Sequence, residues 1–420
     1  MKVHIKTYGC SLNHADSETM MGNLQAAGHE IVEKETQADV IIYNTCTVKD
    51  PSQDKFLSKL KKQQKPVVIA GCIPQADKQG LLKDYPLLGT ENLQQTAEIV
   101  EHAARGNKIH FLEAQDEGRL NLPKKRLNPL VEIVPICAGC LSVCTYCKTK
   151  QARGNLTSYR PMDIQKQCEE AIAQGVQELW LTSQDNGAYG MDIQTNCAEL
   201  LTRIANLEGD FMIRFGMTNP DWTKVHLEAL IQAYKHPKIY KFLHLPIQSG
   251  SDAVLKHMGR RCSAEDIRHI VKRFREEIPE ITIATDIICG YPTETQEDHQ
   301  ATLQLIKELR FPVINISKFY ARPDTKAAEL KQLPSEIKKQ RSKEVTDLFE
   351  SELFTQQRKK YVGETILARF VEKNPYSYVG RSNNYIPVIV QTNKDLLATT
   401  QEVLVTSCTR DDIRAELRNT

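Results

Sequence analysis

Strand patterns and helix patterns alternate from the first residues of the chain, and this alternation constrains the fold more than any other feature. Near the N-terminus the helix patterns SETMMGNLQAAG and SQDKFLSKLKKQ separate three apolar runs, VHIKTYGC, DVIIYNTC and PVVIAGC. Strands that alternate with helices form parallel sheets, since each helix returns the chain to the start of the next strand. Residues 1–114 are therefore predicted to form an α/β domain with a parallel sheet.

The alternation resumes after a charged connector, QDEGRLNLPKKRLNP, at 115–129. Helix patterns such as SAEDIRHIVKRFREE separate six further apolar runs: LVEIVPI, QELWLTS, FMIRFGM, YKFLHLPI, ITIATDII and VINISKFY. Six strand-helix units predict a complete or partial α/β barrel of TIM type over residues 130–358.

The sequence changes character at its C-terminal end. A charged helix pattern, SEIKKQRSKEVTDLFESELFTQQRKK, leads into the β-prone runs TILARFV, YVGRS, YIPVIVQT and EVLVTSC. Short strands with turn residues between them predict a small β-barrel over residues 359–420. Its Tyr376, Tyr378, Arg381 and Tyr385 are candidates for stacking on RNA bases, although small barrels also fill their interiors with aromatic residues. The basic runs KKQRSK and QQRKK are further RNA-binding candidates, or solvated helix faces.

Composition and length predict a cytoplasmic protein of about three domains. None of the apolar runs among the 420 residues approaches the ~20 residues needed to cross a membrane, and the start MKVHIKTYGC lacks the apolar core of a signal peptide. In a reducing compartment the twelve cysteines are better candidates for metal ligands or buried thiols than for disulfides. With a net charge of +2, a nucleic-acid partner has to be held by local basic patches.

Three cysteines, Cys10, Cys46 and Cys72, occupy the same position at the ends of the three N-terminal strands. The carboxyl ends of parallel strands point to one edge of a sheet, so these thiols are predicted to converge on a shared metal. The alternative is that each is a small buried apolar residue.

Four more cysteines lie within eleven residues, in the stretch CAGCLSVCTYC at 137–147. The stretch follows the first barrel strand, on the face where barrel enzymes place their chemistry. Two CxxC pairs indicate zinc, but zinc ribbons usually separate such pairs by fifteen or more residues. Closely spaced thiolates in one loop are typical of iron-sulfur clusters.

With Cys137 set aside, Cys140, Cys144 and Cys147 have the spacing C-x3-C-x2-C. In this spacing and placement the sequence resembles the radical S-adenosylmethionine enzymes. The resemblance implies a partial (β/α)6 barrel in which the three cysteines hold a 4Fe-4S cluster. It also implies that the fourth iron, which has no protein ligand, binds S-adenosylmethionine.

The N-terminal cysteines narrow the resemblance to the methylthiotransferases. The stretches GCSLNHADSE, NTCTVKDPSQDK and GCIPQ resemble the three cysteine motifs of that family, and YCKTKQARG, HLPIQSGSD, DIICGYPTET and FYARPDTKAA extend the likeness over nearly the whole chain. The likeness implies a second 4Fe-4S cluster on Cys10, Cys46 and Cys72, which carries the inserted sulfur. It also implies that the C-terminal barrel is an RNA-binding TRAM domain.

The resemblance implies roles for further side chains. Tyr146 is expected to lie against the adenine of S-adenosylmethionine, and Ser183 and Gln184 to contact its methionyl amine. The other expected contacts of this cofactor are Arg214 and Gln248, and Tyr146 and Arg322 are candidates for a catalytic role. Two departures from the family pattern are the additional thiol of Cys137 and the presence of Asp324 and Lys326 where glycine and proline are common.

The local motifs look most like the archaeal and eukaryotic branch of the family. That branch implies conversion of N6-threonylcarbamoyladenosine beside the tRNA anticodon into its 2-methylthio derivative, with two S-adenosylmethionine molecules per turnover. The expected partners are the tRNA anticodon loop, an electron donor such as ferredoxin or flavodoxin, and a sulfur donor, with no membrane. Isopentenyladenosine in tRNA and an aspartate of a ribosomal protein are alternative substrates. A non-catalytic, metal-containing RNA-binding protein is the alternative from a different class.

Overall fold

A computed structural model of the protein describes residues 1–47, 53–113, 119–354 and 358–418. Residues 48–52 of the stretch NTCTVKDPSQDK and residues 356–357 of QQRKK lie outside the described residues.

The N-terminal elements form one parallel sheet, as predicted. Its strands are β1 (Lys2–Thr7), β2 (Glu30–Ile31), β3 (Val40–Thr45), β4 (Val67–Gly71), β5 (Leu87–Leu88) and β6 (His110–Phe111). The helices are α1 (Ser11–Ala26), α2 (Gln53–Leu60), α3 (Cys72–Gln75) and α4 (Thr96–Ala104). The strand order β2-β1-β3-β4-β5-β6 places β1, β3 and β4 side by side. These are the three strands predicted from the sequence, and β2, β5 and β6 are short additions with two residues each.

The central elements form a partial barrel with all six predicted strands. Its strands are β7 (Val131–Pro135), β10 (Glu178–Thr182), β11 (Met212–Phe215), β12 (Phe242–His244), β13 (Thr282–Cys289) and β14 (Val313–Lys318), and a small hairpin is formed by β8 (Cys137–Ala138) and β9 (Thr157–Ser158). The helices are α5 (Thr149–Arg153), α6 (Pro161–Ala173), α7 (Cys197–Ala205), α8 (Pro220–Thr223), α9 (Leu227–Tyr234), α10 (Asp252–His257), α11 (Ala264–Glu277), α12 (Gln296–Leu309) and α13 (Ser335–Leu348). The barrel strands pair in parallel as two three-stranded sheets, β11-β10-β7 and β12-β13-β14.

The helix predicted over residues 335–360 is shorter in the structure. Helix α13 ends at Leu348 and a π-helical segment, Phe349–Phe354, follows it. The predicted solvated or RNA-binding face at KKQRSK is also wrong at one position. Arg341 is buried, and its Nη1 lies 2.6 Å from Oε2 of Glu294.

The C-terminal strands close into the predicted β-barrel. They are β15 (Thr365–Asn374), β16 (Ser377–Ser382), β17 (Pro387–Val390), β18 (Thr399–Cys408) and β19 (Ile413–Leu417), in the barrel order β15-β16-β17-β19-β18. Strand β19 was not predicted from the sequence. Tyr378 is 3% exposed and belongs to the core of this barrel, so it cannot stack on RNA, whereas Tyr376 is 87% exposed.

The β-barrel packs against the amino ends of the central strands. Its hydrogen bonds reach residues that precede four strands: Asn128 Nδ2 to Val371 O (2.9 Å), Lys241 N to Asn383 O (2.8 Å), Arg369 Nη1 to Gln177 Oε1 (2.5 Å) and Asn384 Nδ2 to Glu280 O (3.4 Å). The ring of Tyr385 packs at centroid distances of 4.8 Å from Tyr240 and 5.2 Å from Phe242. Tyr385 is therefore part of a domain interface, and the prediction that it binds RNA bases is not supported by this position.

Among the helices that the structure describes, none has the length and apolar character needed to cross a membrane. The cytoplasmic location stays a prediction.

We expect Tyr385→Ala to loosen the β-barrel from the central strands, because it removes an aromatic ring packed between Tyr240, Phe242 and Arg214. The local free energy of opening, measured by hydrogen exchange in β16 and β17, should fall by roughly 2–4 kcal/mol. Tyr376→Ala is the matched control and should leave exchange unchanged, because that ring is exposed. Equal exchange in the two variants would contradict the interface role of Tyr385.

Candidate functional site

The three N-terminal cysteines lie at the ends of three neighbouring parallel strands. Cys10 follows β1 and precedes the first residue of α1, Cys46 follows β3 directly, and Cys72 begins α3 directly after β4. The buried positions of Cys46 and Cys72 and the half-buried position of Cys10 place all three on the carboxyl edge of the sheet. The structure thus places these residues at the ends of neighbouring parallel strands, and their convergence on a shared metal stays a prediction.

Two glycines allow this approach. Gly9 has φ +111°, and a Cβ built on it would lie 2.5 Å from Cβ of Cys46 and 2.9 Å from its Sγ. Gly71 has φ +90°, and its added Cβ would lie 2.3 Å from Oδ1 of Asn44. Only glycine fits both the backbone conformation and the space. The glycine before Cys10 and the glycine before Cys72 are therefore part of the site, although the sequence reading singled out only the cysteines.

Buried amide side chains fix the loops that carry these thiols. Asn13 Nδ2 donates to Thr45 O at 2.9 Å, and Asn44 Nδ2 donates to Asn13 O at 2.8 Å and to Ser17 Oγ at 2.9 Å. These bonds link the first turns of α1 to the end of β3. Because each buried donor has a partner, the loop geometry is set before any ligand binds.

The second group of cysteines lies in the loop after β7. Cys140 Sγ accepts a hydrogen bond from Ser142 N at 3.4 Å, and Cys147 Sγ accepts one from Thr149 N at 3.4 Å. Burial, followed by the nearby carboxyl of Asp185 and the thiols of Cys144 and Cys147, raises the pKa of Cys140 to about 12. Cys140, Cys144 and Cys147 are thus within electrostatic range of one another. A bound metal would have to offset the cost of ionising them.

Cys137 occupies a different environment from the other three cysteines of its stretch. It is fully buried in the main hydrophobic core, and β8 pairs it with Ser158. Its Sγ lies 3.9 Å from Asp185 O, and burial strongly raises its pKa. The structure therefore supports the prediction that sets Cys137 apart from the three-cysteine signature.

The stretch after β10 supplies a buried carboxylate beside these cysteines. Asp185 is 2% exposed, and its Oδ1 accepts hydrogen bonds from Asn219 N at 3.0 Å and Gly187 N at 3.1 Å. Its Oδ2 is buried and has no hydrogen-bond partner among the described residues, and burial raises its pKa to about 7. Among these residues, Gln184 Oε1 is likewise buried without a partner. Ser183 Oγ instead bonds Asn186 Oδ1 at 2.5 Å.

The structure thus adds Asp185 to the candidate site, whereas the sequence analysis predicted only Ser183 and Gln184 from this stretch. A signal was available, since Asp185 follows both and carries the charge that an amine would need. Arg260 was also missed. Its guanidinium lies near Cys144 and Tyr146, and Arg260 Nη2 donates to Pro246 O at 3.0 Å. No spacing in the sequence connects Arg260 with the cysteine loop.

The remaining predicted cofactor contacts are spread over the barrel. Tyr146 packs in a small apolar cluster against Val254, Met258, Tyr291 and Phe319. Gln248 lies after β12 with φ +70°, and its backbone N donates to Asp286 O at 2.8 Å.

Arg214 lies near the amino ends of the strands. Its guanidinium is 5.5–5.8 Å from the ring centres of Trp180, Phe242 and Tyr385. The structure thus does not bring Arg214 together with the cysteine loop.

The segment after β14 also contacts the cysteine loop. Asp324 has φ +61°, which explains why glycine is common at this position in the family that the sequence resembles. Its Oδ2 lies 3.3 Å from Nζ of Lys148, the residue directly after Cys147. The guanidinium of Arg322 lies 5.2 Å from the ring centre of Tyr320, which is half-exposed.

The donor chemistry fits iron-sulfur clusters. Each of the two groups offers three thiols, and the partnerless Oδ2 of Asp185 beside Cys140 fits an amine-bearing cofactor at the second group. Within the described ranges, no group of three or more His, Cys, Asp or Glu side chains was found that could hold a metal ion as the side chains now stand.

Known proteins similar to this chain decide its family. A threonylcarbamoyladenosine tRNA methylthiotransferase of Drosophila pseudoobscura pseudoobscura is 41% identical over 99% of this chain and 77% of its own length. A probable threonylcarbamoyladenosine tRNA methylthiotransferase of Pyrococcus horikoshii is 40% identical over 87% of this chain and 88% of its own length. The chain belongs to this methylthiotransferase family.

Two family models match separate parts of the chain. The model described as uncharacterized protein family UPF0004 matches residues 2–89, and that of the Radical SAM superfamily matches residues 134–306. The protein is a radical S-adenosylmethionine methylthiotransferase, and its cofactors are 4Fe-4S clusters and S-adenosylmethionine.

Solved structures support the fold. The radical S-adenosylmethionine methyltransferase TsrM of Kitasatospora setae superimposes with a TM-score of 0.55 at 15% identity, over 78% of this chain and 75% of TsrM. The cobalamin-dependent enzyme OxsB gives 0.51 at 11% identity, over 85% of this chain and 56% of OxsB. At these identities the likeness concerns the fold alone.

We expect Gly71→Ala to disrupt the N-terminal site, because the new Cβ would meet Asn44 and Thr45 at 2.3 and 2.6 Å in a glycine-only conformation. Hydrogen exchange in β3 and β4 should report a loss of roughly 2–4 kcal/mol of local stability, with less iron bound per chain. Gly80→Ala is the matched control, since Gly80 has φ +66° but open space around it, and should cost about 1 kcal/mol. A Gly71→Ala protein with full iron content would contradict this role.

Proposed function

We propose that this protein converts N6-threonylcarbamoyladenosine beside the tRNA anticodon into 2-methylthio-N6-threonylcarbamoyladenosine. The observation that carries the proposal is the presence of two separate groups of three thiols in one chain, packed against each other through α3 and α5. Ala152 of α5 shares a buried apolar cluster with Cys72 and Ala76. Two clusters held this close allow one chain to activate a carbon and to deliver sulfur to it.

Two sets of residues would hold the clusters. Cys140, Cys144 and Cys147 would hold the one that binds S-adenosylmethionine, and Cys10, Cys46 and Cys72 the one that carries sulfur. When bound, these groups supply the radical that removes hydrogen from carbon 2 of the adenine and the methylthio group that replaces it, with two S-adenosylmethionine molecules consumed per turnover. The protein contributes ligands, orientation and exclusion of water.

The side chains around Cys140 suit the amino-acid end of S-adenosylmethionine. Asp185 Oδ2 and Gln184 Oε1 are buried acceptors without partners within the described part of the chain, and an ammonium group would satisfy both. Tyr146, which lies in the cysteine loop, packs with Met258 and Phe319. Ser183, whose hydroxyl is used by Asn186, acts as a support for this loop rather than as a direct contact.

The partners follow from this chemistry. The tRNA anticodon loop presents single-stranded bases that can be splayed into a pocket. Cleavage of S-adenosylmethionine needs an electron, which we assign to a ferredoxin or flavodoxin, and repeated turnover needs a sulfur donor.

The assignment is tested by mass spectrometry of tRNA nucleosides from a deletion strain and from strains that carry cysteine variants. The wild-type gene should restore the 2-methylthio nucleoside and either triple Cys→Ala variant should not. In vitro, the variant of Cys140, Cys144 and Cys147 should lose cleavage of S-adenosylmethionine, whereas that of Cys10, Cys46 and Cys72 should retain cleavage without thiolation. Unchanged nucleoside levels in the deletion strain would sink the assignment.

The same purified protein can be assayed with the two alternative substrates of this enzyme class. Assays with tRNA that carries isopentenyladenosine, and with a ribosomal protein that offers an aspartate, should show no methylthiolation. A product from either one, with none from threonylcarbamoyladenosine, would replace the proposed substrate.

We expect Tyr376→Ala to weaken tRNA binding, because the exposed Tyr376 ring is the one tyrosine of the predicted RNA-binding set that is free to stack on a base. Loss of one stacking contact, worth about 1–3 kcal/mol, should raise the Kd for tRNA roughly 5- to 100-fold in a filter-binding assay. Cleavage of S-adenosylmethionine without tRNA should be unaffected. Unaltered tRNA affinity would show that Tyr376 does not contribute to tRNA binding.

A further inference from the structure

A buried cluster of charges lies where the N-terminal elements meet the cysteine loop. Arg153 is the last residue of α5, and its side chain is 1% exposed. Its Nη2 donates to Oδ2 of Asp16, on α1, at 2.7 Å. Arg119 Nη2 contacts the other oxygen, Oδ1, of the same carboxylate. One carboxylate is therefore shared by two guanidinium groups, which leaves an excess of one positive charge among the described residues of this buried cluster.

The cluster also has unused hydrogen-bond donors. Nε and Nη1 of Arg153 and Nε and Nη1 of Arg119 are buried and make no hydrogen bond to any part of the chain that the structure describes. The hydroxyl of Tyr159, whose surroundings include Arg119, Asp16 and Arg153, is buried in the same way. Buried donors without acceptors are costly and uncommon in native proteins. Four such donor nitrogens, on two guanidinium groups that share one carboxylate, define a site for a small anion.

The cysteines at the carboxyl edge of the N-terminal sheet are the neighbours of this site. Burial lowers the pKa of the Arg153 guanidinium, but Asp16, then Cys72 and Cys10, raise it by more. The backbone fixes this arrangement, since Thr90 Oγ1 donates to Ala152 O at 3.1 Å and Ala152 packs on Cys72. Arg153 thus lies near Cys72 and Cys10, and it follows Cys147 by six residues in the sequence.

We propose that Arg153 and Arg119 form the binding site for the sulfur anion, hydrosulfide or methanethiolate, that is used at Cys10, Cys46 and Cys72. The proposal rests on the proposed function, which requires an anionic sulfur at this edge of the sheet. A donor nitrogen of Arg153 that has no partner among the described residues donates to the sulfur, and Asp16 orients the guanidinium for this task. Charge-assisted hydrogen bonds of this kind are about twice as strong as neutral ones. The sulfur comes either from solution or from the cluster itself, and isotope labelling separates these two sources.

The competing explanation is that Arg153 only fastens α5 to α1 through Asp16. If Arg153 had only this role, its substitution would lower the stability of the protein and leave its affinity for a sulfur anion unchanged. Arg153→Lys separates the two explanations, because lysine keeps the charge opposite Asp16 but carries all of its donors on one nitrogen, so it lacks the separate nitrogens with which arginine can bind a second anion. Arg119→Lys is the second variant, on the connector rather than on α5. Arg341→Lys is the matched control, since Arg341 is also buried, bonded to a carboxylate and left with a partnerless Nε among the described residues.

The experiment uses the full chain, reconstituted anaerobically with both clusters and without tRNA. Sodium hydrosulfide is titrated into the reduced protein, and its binding is followed by the change in the electron paramagnetic resonance signal of the clusters. We expect at least about a tenfold weaker affinity for hydrosulfide in Arg153→Lys or Arg119→Lys, and wild-type affinity in Arg341→Lys. If Arg153→Lys fails to take up iron, Arg119→Lys decides the test.

Wild-type hydrosulfide affinity in Arg119→Lys and Arg153→Lys would overturn the proposal, as would a wild-type protein that binds no hydrosulfide. Turnover of the wild type with 34S-labelled hydrosulfide then identifies the source. Label in the product assigns the site to sulfur from solution, and unlabelled product assigns it to sulfur leaving the cluster. Because the titration needs no tRNA, failure of the sulfur site is distinguishable from failure of the proposed function, which would show as absence of the methylthio nucleoside in every wild-type assay.

Discussion

Three thiols have to leave three different strands and still meet at one edge of a sheet, and the rest of the N-terminal structure follows from this requirement. Parallel pairing in the order β1-β3-β4 places the strand ends side by side. The backbone must then turn within one or two residues. Gly9 and Gly71 supply these turns, and the loops are held by the amides of Asn13 and Asn44. A side chain at either glycine would occupy the space through which the neighbouring loop passes.

The same edge of the sheet is also where the N-terminal elements join the barrel. Helix α1 packs along β7 through Ala15, Val131 and Ile133, and Ser11 Oγ lies 2.6 Å from Thr182 Oγ1 at the end of β10. Burying Asp16 between two guanidinium groups in this junction contributes little net stability, because desolvation offsets the attraction between the charges. An apolar contact would fasten the two parts at least as well, so stability alone does not explain the charges at this position.

Much of the fold could be predicted from the sequence because each strand carries its own signal. The apolar runs gave the three long N-terminal strands and all six barrel strands, and the resemblance to the radical S-adenosylmethionine signature separated Cys137 from its neighbours. What could not be predicted depends on residues far apart in sequence. No local pattern tells that Asp185 is buried beside Cys140, that Arg341 pairs with Glu294, or that Tyr385 packs on Tyr240. Strand β19 was missed although IRAEL alternates between apolar and polar residues, because its Arg, Ala, Glu and Leu all favour helices.

The position of the β-barrel limits how RNA can be bound. The β-barrel covers the amino ends of the central strands, while the cysteine loop follows their carboxyl ends. The strands β7 and β10, with five residues each, separate these two ends by about 17 Å. The interior between them is occupied near the amino ends by Trp180, Arg214 and Phe242. A nucleotide stacked on the β-barrel is therefore not the one that reacts. Under the proposed role of Tyr376 in RNA binding, the target base reaches the carboxyl ends of the strands while another part of the same RNA contacts the β-barrel, so recognition and chemistry would be divided between two parts of one substrate.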